Sequence, residues 1–474
     1  MKSKDNAWFW VVIVLYTLIT LLRLINHQPW FDEAHAWSIA QELSLFDIFN
    51  LMAFEGHTFI WYLLLMPFAK TNFFYPWPML IMNYLFAFVS VVLLWKKAPF
   101  SNITKTIITF SFPFLACLPI LARCYSIGVM LLFLLAILYE KRLKNPLVYS
   151  TLIILCANTS VMAILGAAAF GFIFAYDLIR EALKDNVSKK DFILSFVIMA
   201  FGAVLILWQL GNTSKLMAVD AVNFINNFTD FILSSNLIIS TVAVGGFLLA
   251  LGGIPFCIWS DKRALFFYLF VTGGLLAVFN FKYAGYAHHY IFLYIYCIVS
   301  LWIADINNKY EFITNTLIFV MFFGLLFNVK NVDIVYFASH SKDIAQIILQ
   351  DKKLRDSRII IFELFSRNLL PYLYGKNIDL WDYCSGEPAN YSVIMSSNTP
   401  ICTVKKKTYV MQYLDKVMTD EKDNYAVVSV QKSNSYDPVF IIQDKNKRVI
   451  FEFYKRIPKS GYLVYKLTRF NLFE

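Results

Sequence analysis

The chain has 474 residues, of which 59% are hydrophobic, 18% aromatic and only 16% charged. A soluble protein of this size exposes too much surface to carry so few charges, and many apolar runs approach the roughly 18 residues a bilayer span needs, so a soluble class is excluded. The net charge of +10 does not imply nucleic-acid binding by the membrane half, whose Lys and Arg lie in short stretches between apolar runs, as a topology signal places them.

In chain order, Met1-Lys2-Ser3-Lys4 precede an apolar run over 7–25 that is long for a signal peptide, and His27-Gln28-Pro29-Trp30 follows instead of small cleavage-site residues. It reads as a retained first span with a cytoplasmic N-terminus. The following stretch, 26–76, opens with Asp32-Glu33-Ala34-His35. There Ala36, Ile39, Leu43 and Phe46 recur at helical spacing against polar Ser38, Gln41 and Glu42. The pattern predicts an amphipathic helix suited to lying on a membrane surface. The apolar run 57–69, about 13 residues, is too short to cross and reads as a juxtamembrane helix.

Charge parity supports that choice. If 57–69 crossed, Lys96-Lys97, Lys105, Arg123 and Lys141-Arg142 would all fall on the wrong sides. The further spans are expected at 77–95, 101–120, 124–139, 146–158, 161–178, 192–209, 232–258, 264–280, 290–304 and 312–328. They make about eleven in all, and the break at Asn158-Thr159-Ser160 leaves open one long helix over 146–178. The chain thus divides into a membrane domain, 1–328, with an outer loop 26–76, and a polar domain, 329–474. In the latter, 341–350 and 367–374 look helical, and 358–362, 427–430, 449–454 and 462–467 look like strands. The fold class expected is a polytopic α-helical membrane protein with a C-terminal extracytoplasmic α/β domain, without internal repeats. Of the cysteines, Cys384 and Cys402 alone lie in polar sequence, where a disulfide is possible.

Five of six histidines, His27, His35, His57, His288 and His289, fall in expected outer loops, with His340 in the outer domain. The same loops carry Asp32, Glu33, Glu55 and Arg123, and ionisable groups at a membrane are costly enough to mark function. The plainer readings are interface histidines, helix capping by Asp32 and Glu33, and snorkelling of Arg123. The functional ones are a general base at Asp32, a carboxylate and imidazole able to share a metal at Glu55 and His57, and phosphate binding by Arg123. Arg123 stands with Tyr125, and Lys282, Tyr283, Tyr286, His288, His289 and Tyr290 crowd another outer mouth.

Trp30-Phe31-Asp32-Glu33-Ala34 and Glu55-Gly56-His57-Thr58-Phe59-Ile60-Trp61-Tyr62 resemble the first outer loop of GT-C-type glycosyltransferases. The nearest kind is the polyprenyl-phosphate-sugar transferases related to protein mannosyltransferases and aminoarabinose transferases. Arg123-Cys124-Tyr125 is similar to that family's Arg-x-Tyr segment, and His288-His289 to its late Arg-His segment. The chain departs from the family in having Thr58-Phe59 where many members have two prolines, and His288 where some have arginine.

The resemblance implies a plasma-membrane enzyme of inverting type, transferring a hexosyl or pentosyl group from a polyprenyl-phosphate-linked donor to an unspecified acceptor. It implies catalytic Asp32, Glu33 and Glu55, with donor-phosphate binding by Arg123, Tyr125, Lys282 and His288. A divalent metal at Glu55, His57 and His289 is a further option. The competing classes are a transporter or lipid flippase, which would carry charges deep in its spans, and a non-catalytic envelope assembly protein of the same fold.

Overall fold

The structure is a computed structural model that describes residues 3–211, 221–233, 237–304, 308–328, 340–361, 366–382, 386–389, 414, 416–419, 421–429, 438–443, 447–457 and 462–471. Cys384 and Cys402 lie outside the described residues.

The helices begin with α1 (Ser3–Asn26), α2 (Phe31–Glu42), α3 (Leu45–Glu55), α4 (Ile60–Ala69) and α5 (Trp77–Lys97). Next come α6 (Asn102–Phe110), α7 (Tyr125–Leu138), α8 (Pro146–Ala157), α9 (Val161–Ala182) and α10 (Lys189–Leu210). The series up to residue 328 closes with α11 (Ala221–Ile232), α12 (Leu237–Cys257), α13 (Lys262–Phe281), α14 (Ala287–Ile303) and α15 (Asn308–Asn328). Beyond it lie α16 (Ser341–Gln350), α17 (Lys352–Arg355), α18 (Ser366–Leu373) and strands β1 (Arg358–Ile361), β2 (Asp379–Asp382), β3 (Glu387–Pro388), β4 (Asn424–Ser429), β5 (Val439–Gln443), β6 (Lys447–Arg456) and β7 (Tyr462–Asn471).

Two compact units emerge. One comprises residues 1–27, 43–65 and 77–336; the other comprises 28–42, 66–76 and 337–474. The expected boundary at 328/329 therefore misses two pieces of the outer loop, which are built into the C-terminal unit.

The first unit is a helical bundle. Among the described residues, six helices are long and apolar enough to cross a bilayer, and four apolar helices are shorter: Ile60–Ala69, Pro146–Ala157, Ala287–Ile303 and Glu311–Leu326. α10 shows why a membrane is required: Ile193, Val197, Phe201, Val204 and Leu207 all face outward, an apolar surface water would not tolerate. In contrast α14 is buried from His288 to Leu301, as an all-apolar helix at the centre of a bundle must be. The expected span 101–120 is interrupted: Ser111 ends α6, and a π-helical turn Pro113–Cys117 follows because proline cannot continue the preceding hydrogen-bond ladder. Such irregular backbone is tolerated at membrane depth where protein surrounds it, and Pro113 to Leu118 are buried. The alternative over 146–178 resolves into two helices, α8 and α9, with Ser160 capping the second through the Ala163 amide.

At the end of the bundle where α7 and α9 finish and α13 begins, Asp177 is held by two arginines. Arg142 Nη2 lies 2.7 Å from Oδ2 and Arg263 Nη2 lies 2.5 Å from Oδ1.

The second unit is a seven-stranded mixed sheet in the order β3-β2-β1-β4-β7-β6-β5. β1 is an interior strand and pairs in parallel with β2 and β4, so Ile360 faces Trp381 on one side and Ala426 on the other. Ile360 joins Val449, Phe451 and Tyr465 in one core, while Ile359 and Ile361 join Ile344, Leu369 and Val464 in another. That alternation is the two-residue period of a strand covered on both faces.

α2 belongs here and corrects the surface-helix expectation. Every residue from Glu33 to Gln41 is buried, Ser38 and Gln41 included, and α2 packs against α18. Trp37 packs against the tilted ring of Tyr75 at 5.0 Å and donates from Nε1 to Asn72 Oδ1 at 3.3 Å, and Asn72 Nδ2 donates to the Pro371 carbonyl. The helical spacing of Ala36 and Ile39 marked one face correctly. What it missed was tertiary cover on the polar face, and the helix ends at Glu42, so that Phe46 belongs to α3, which Ser44 caps.

Candidate active site

Two glycines with left-handed backbone shape the site in the first unit. Gly56 (φ +66°) closes α3 and delivers His57, and Gly285 (φ +78°) precedes the turn into α14. At Gly285 a Cβ would also lie 2.8 Å from the Tyr290 ring, so glycine is required there twice over.

His57 is fastened to the end of the bundle where α8 and α10 finish. It forms an isolated antiparallel bridge with Ser160. The Phe59 amide donates to Gln209 Oε1 at 2.9 Å, and Gln209 Nε2 donates to Asn158 Oδ1 at 3.1 Å. Sequence reasoning passed over Gln209; a lone amide near the end of an apolar run was its only signal. The His57 ring reaches Cys124, Nδ1 to Sγ 3.6 Å, at the start of α7. Burial, with the Arg123 charge adding and the Glu55 carboxylate opposing, pushes His57 down to about 3, so it stays neutral at physiological pH. The Tyr62 hydroxyl donates to Glu55 Oε2 at 3.3 Å; burial and Glu55 both push that phenol up, which keeps it a donor.

Arg123 precedes α7 and is buried, which removes the snorkelling reading. Its charge acts on His57, His288 and His289, so these groups share one neighbourhood. Tyr125 packs against the rings of His57, His288 and His289 at 5.7, 5.4 and 5.5 Å, and its hydroxyl lies 2.9 Å from His289 Nε2. Glu55, His57, Arg123, Tyr125, His288 and His289 are therefore brought together at one end of the bundle. Lys282 is exposed at the end of α13 and does not join the buried group. Tyr290 turns into an aromatic cluster with Phe224, Phe228, Phe231 and Phe279, three of them from α11, a helix the hydropathy pattern did not reveal.

The Tyr286 amide donates to His289 Nδ1 at 3.1 Å, so that nitrogen is an acceptor. The proton of the neutral ring then sits on Nε2, where it meets Tyr125. Held in this way His289 has no lone pair to give a cation, and it does not fit the metal set of Glu55, His57 and His289. Among the described residues no group of three or more His, Cys, Asp or Glu side chains is arranged to hold a metal ion.

Asp32 and Glu33 lie in the second unit, in the first turn of α2. Glu33 Oε2 accepts the Trp30 amide at 2.9 Å, half of a capping box, so the capping reading holds for Glu33. Asp32 is half-buried beside it.

A bundle with lipid-facing apolar helices, joined to a mixed α/β sheet unit, defines a polytopic membrane protein with a C-terminal domain. The crystal structure of ArnT from Cupriavidus metallidurans bound to undecaprenyl phosphate is similar over 97% of this chain and 98% of that one, with a TM-score of 0.53 and 10% sequence identity. At that identity the likeness shows a shared fold. No family model matches the sequence, and no curated protein matches it.

Proposed function

We propose that this protein is a membrane glycosyltransferase that takes a sugar from a polyprenyl-phosphate donor and passes it to an acceptor hydroxyl or amine. The observation that carries this reading is the nearly end-to-end likeness to ArnT, whose structure holds undecaprenyl phosphate. The buried cluster of Arg123, Tyr125 and three histidines supports it, because an arginine flanked by hydroxyl and imidazole donors suits a phosphate.

In the proposed reaction a lone pair on the acceptor attacks the anomeric carbon, and the bond from that carbon to the phosphate oxygen breaks with its electrons. A single displacement of this kind inverts the anomeric centre. The acceptor's proton passes to the Asp32 carboxylate. Arg123, Tyr125 and His288 stabilise the departing lipid phosphate, with Lys282 at the exposed rim. Glu33 holds the first turn of α2 and so orients Asp32, while Glu55, tied to Tyr62, orients the donor sugar. Asp32→Asn is expected to lower glycan transfer by at least about a hundredfold while protein level is unchanged. Transfer that survives in that variant overturns Asp32 as base.

The site end of the bundle is proposed to face away from the cytoplasm, with the C-terminal domain on the same side, following the basic-residue bias. Single cysteines at positions 72 and 100, probed with an impermeant thiol reagent, test this. Labelling at 72 and protection at 100 are expected, and the reverse overturns the orientation.

A further inference from the structure

We propose that His289 is a positioning residue that acts through Tyr125, locking the phenol so that its own proton is directed away from the imidazole and toward the donor phosphate. The phosphate contact rests on the proposed function; the lock itself does not.

Tyr286 precedes the first turn of α14, and its backbone N–H is one of the donors that a helix start leaves without an intrahelical acceptor. Three residues on, His289 answers it with Nδ1 at 3.1 Å, in the position a capping glutamate or glutamine usually fills. A backbone amide can only donate, so Nδ1 carries no proton and the ring is the neutral Nε2–H tautomer. The 2.9 Å contact to Tyr125 then has a fixed direction: Nε2–H donates and the phenol oxygen accepts. The Tyr125 proton is thereby turned to the side opposite His289. The charge of Arg123 acts on both α14 histidines, so the guanidinium shares the neighbourhood of the His289–Tyr125 pair. A helix cap on α14 thus sets the donor direction of a side chain on α7. Burial of both residues keeps water from competing for either bond.

The full chain in lipid nanodiscs, labelled with nitrogen-15 histidine, reads the tautomer without any activity assay. The His289 signal is identified by its loss in His289→Gln, a substitution that preserves the helix cap because glutamine at that position can still accept the Tyr286 amide. A protonated Nε2 and a bare Nδ1 are expected at neutral pH; a protonated Nδ1 or a charged ring overturns the lock. Undecaprenyl phosphate is then titrated into the same nanodiscs. Tyr125→Phe is expected to weaken binding about tenfold, His289→Gln by a similar factor, and the double variant no more than Tyr125→Phe alone. Losses that add, or variants that bind as the wild type does, overturn the action of His289 through Tyr125. A wild-type protein that shows the tautomer and ignores undecaprenyl phosphate overturns the proposed donor and the phosphate contact, while the His289–Tyr125 lock stands.

Discussion

The two ends of the helical bundle both bury charge, but they do so in different ways. At one end Asp177 is saturated: Arg142 reaches Oδ2 through Nη2 and Nε at 2.7 and 3.2 Å, and Arg263 reaches Oδ1 through Nη2 and Nε at 2.5 and 3.1 Å. The carboxylate spends both oxygens on groups from the α8 approach and the start of α13, and the arrangement fastens three segments together. At the other end Arg123 sits among imidazoles and a phenol supplied by the α3–α4 connection, α7 and α14. His57 is neutral there through burial, and His289 through the tautomer its helix cap imposes. The first centre completes itself with opposite charge, as a structural lock does. The second brings a guanidinium, the Glu55 carboxylate, imidazoles and a phenol together on turns shaped by Gly56 and Gly285, the arrangement proposed above to hold the donor.

Substitutions should separate the two centres. Asp177→Asn strands two guanidiniums and is expected to cost about 3–5 kcal/mol of stability, seen as a lower melting temperature in detergent. A melting curve unchanged by that substitution would remove the structural reading of the Asp177 end. Arg123→Lys keeps the charge and loses the fork geometry; undecaprenyl phosphate affinity is expected to fall about tenfold with little change in melting temperature. A large loss of stability with no loss of affinity would make Arg123 another lock.

A further effect is one of pH. His57 is held at about 3 against an ordinary 6.5. Below about 6.5 the unfolded chain takes up a proton that the folded chain refuses, so the His57 contribution lowers stability as pH falls and levels off below about 3. His57→Gln should flatten that part of the stability curve between pH 7 and 5. An unchanged slope would mean that His57 is not the group responsible.

Much of the outline was legible in sequence for physical reasons. Span-length apolar runs announce a membrane bundle whatever their packing, and α5, α9, α10 and α13 fall close to where hydropathy placed them. β1, α16 and α18 were readable because a buried strand and a short amphipathic helix carry their own periods. Loop position under charge parity, with the family resemblance, also put Glu55, His57, Arg123, Tyr125 and the α14 histidines into a single set, together with Asp32. Hydropathy is blind to partners, however. It could not show that α2 is covered on its polar face, that Gln209 pins the Phe59 amide, or that Asp177 inside an apolar run is matched by two arginines. Nor could it show that His289, a plausible metal ligand by residue type, has both ring nitrogens engaged. Residue type sets what a side chain is able to bond. Only the tertiary structure decides which of those bonds are already made, because the partners come from segments far apart in the chain.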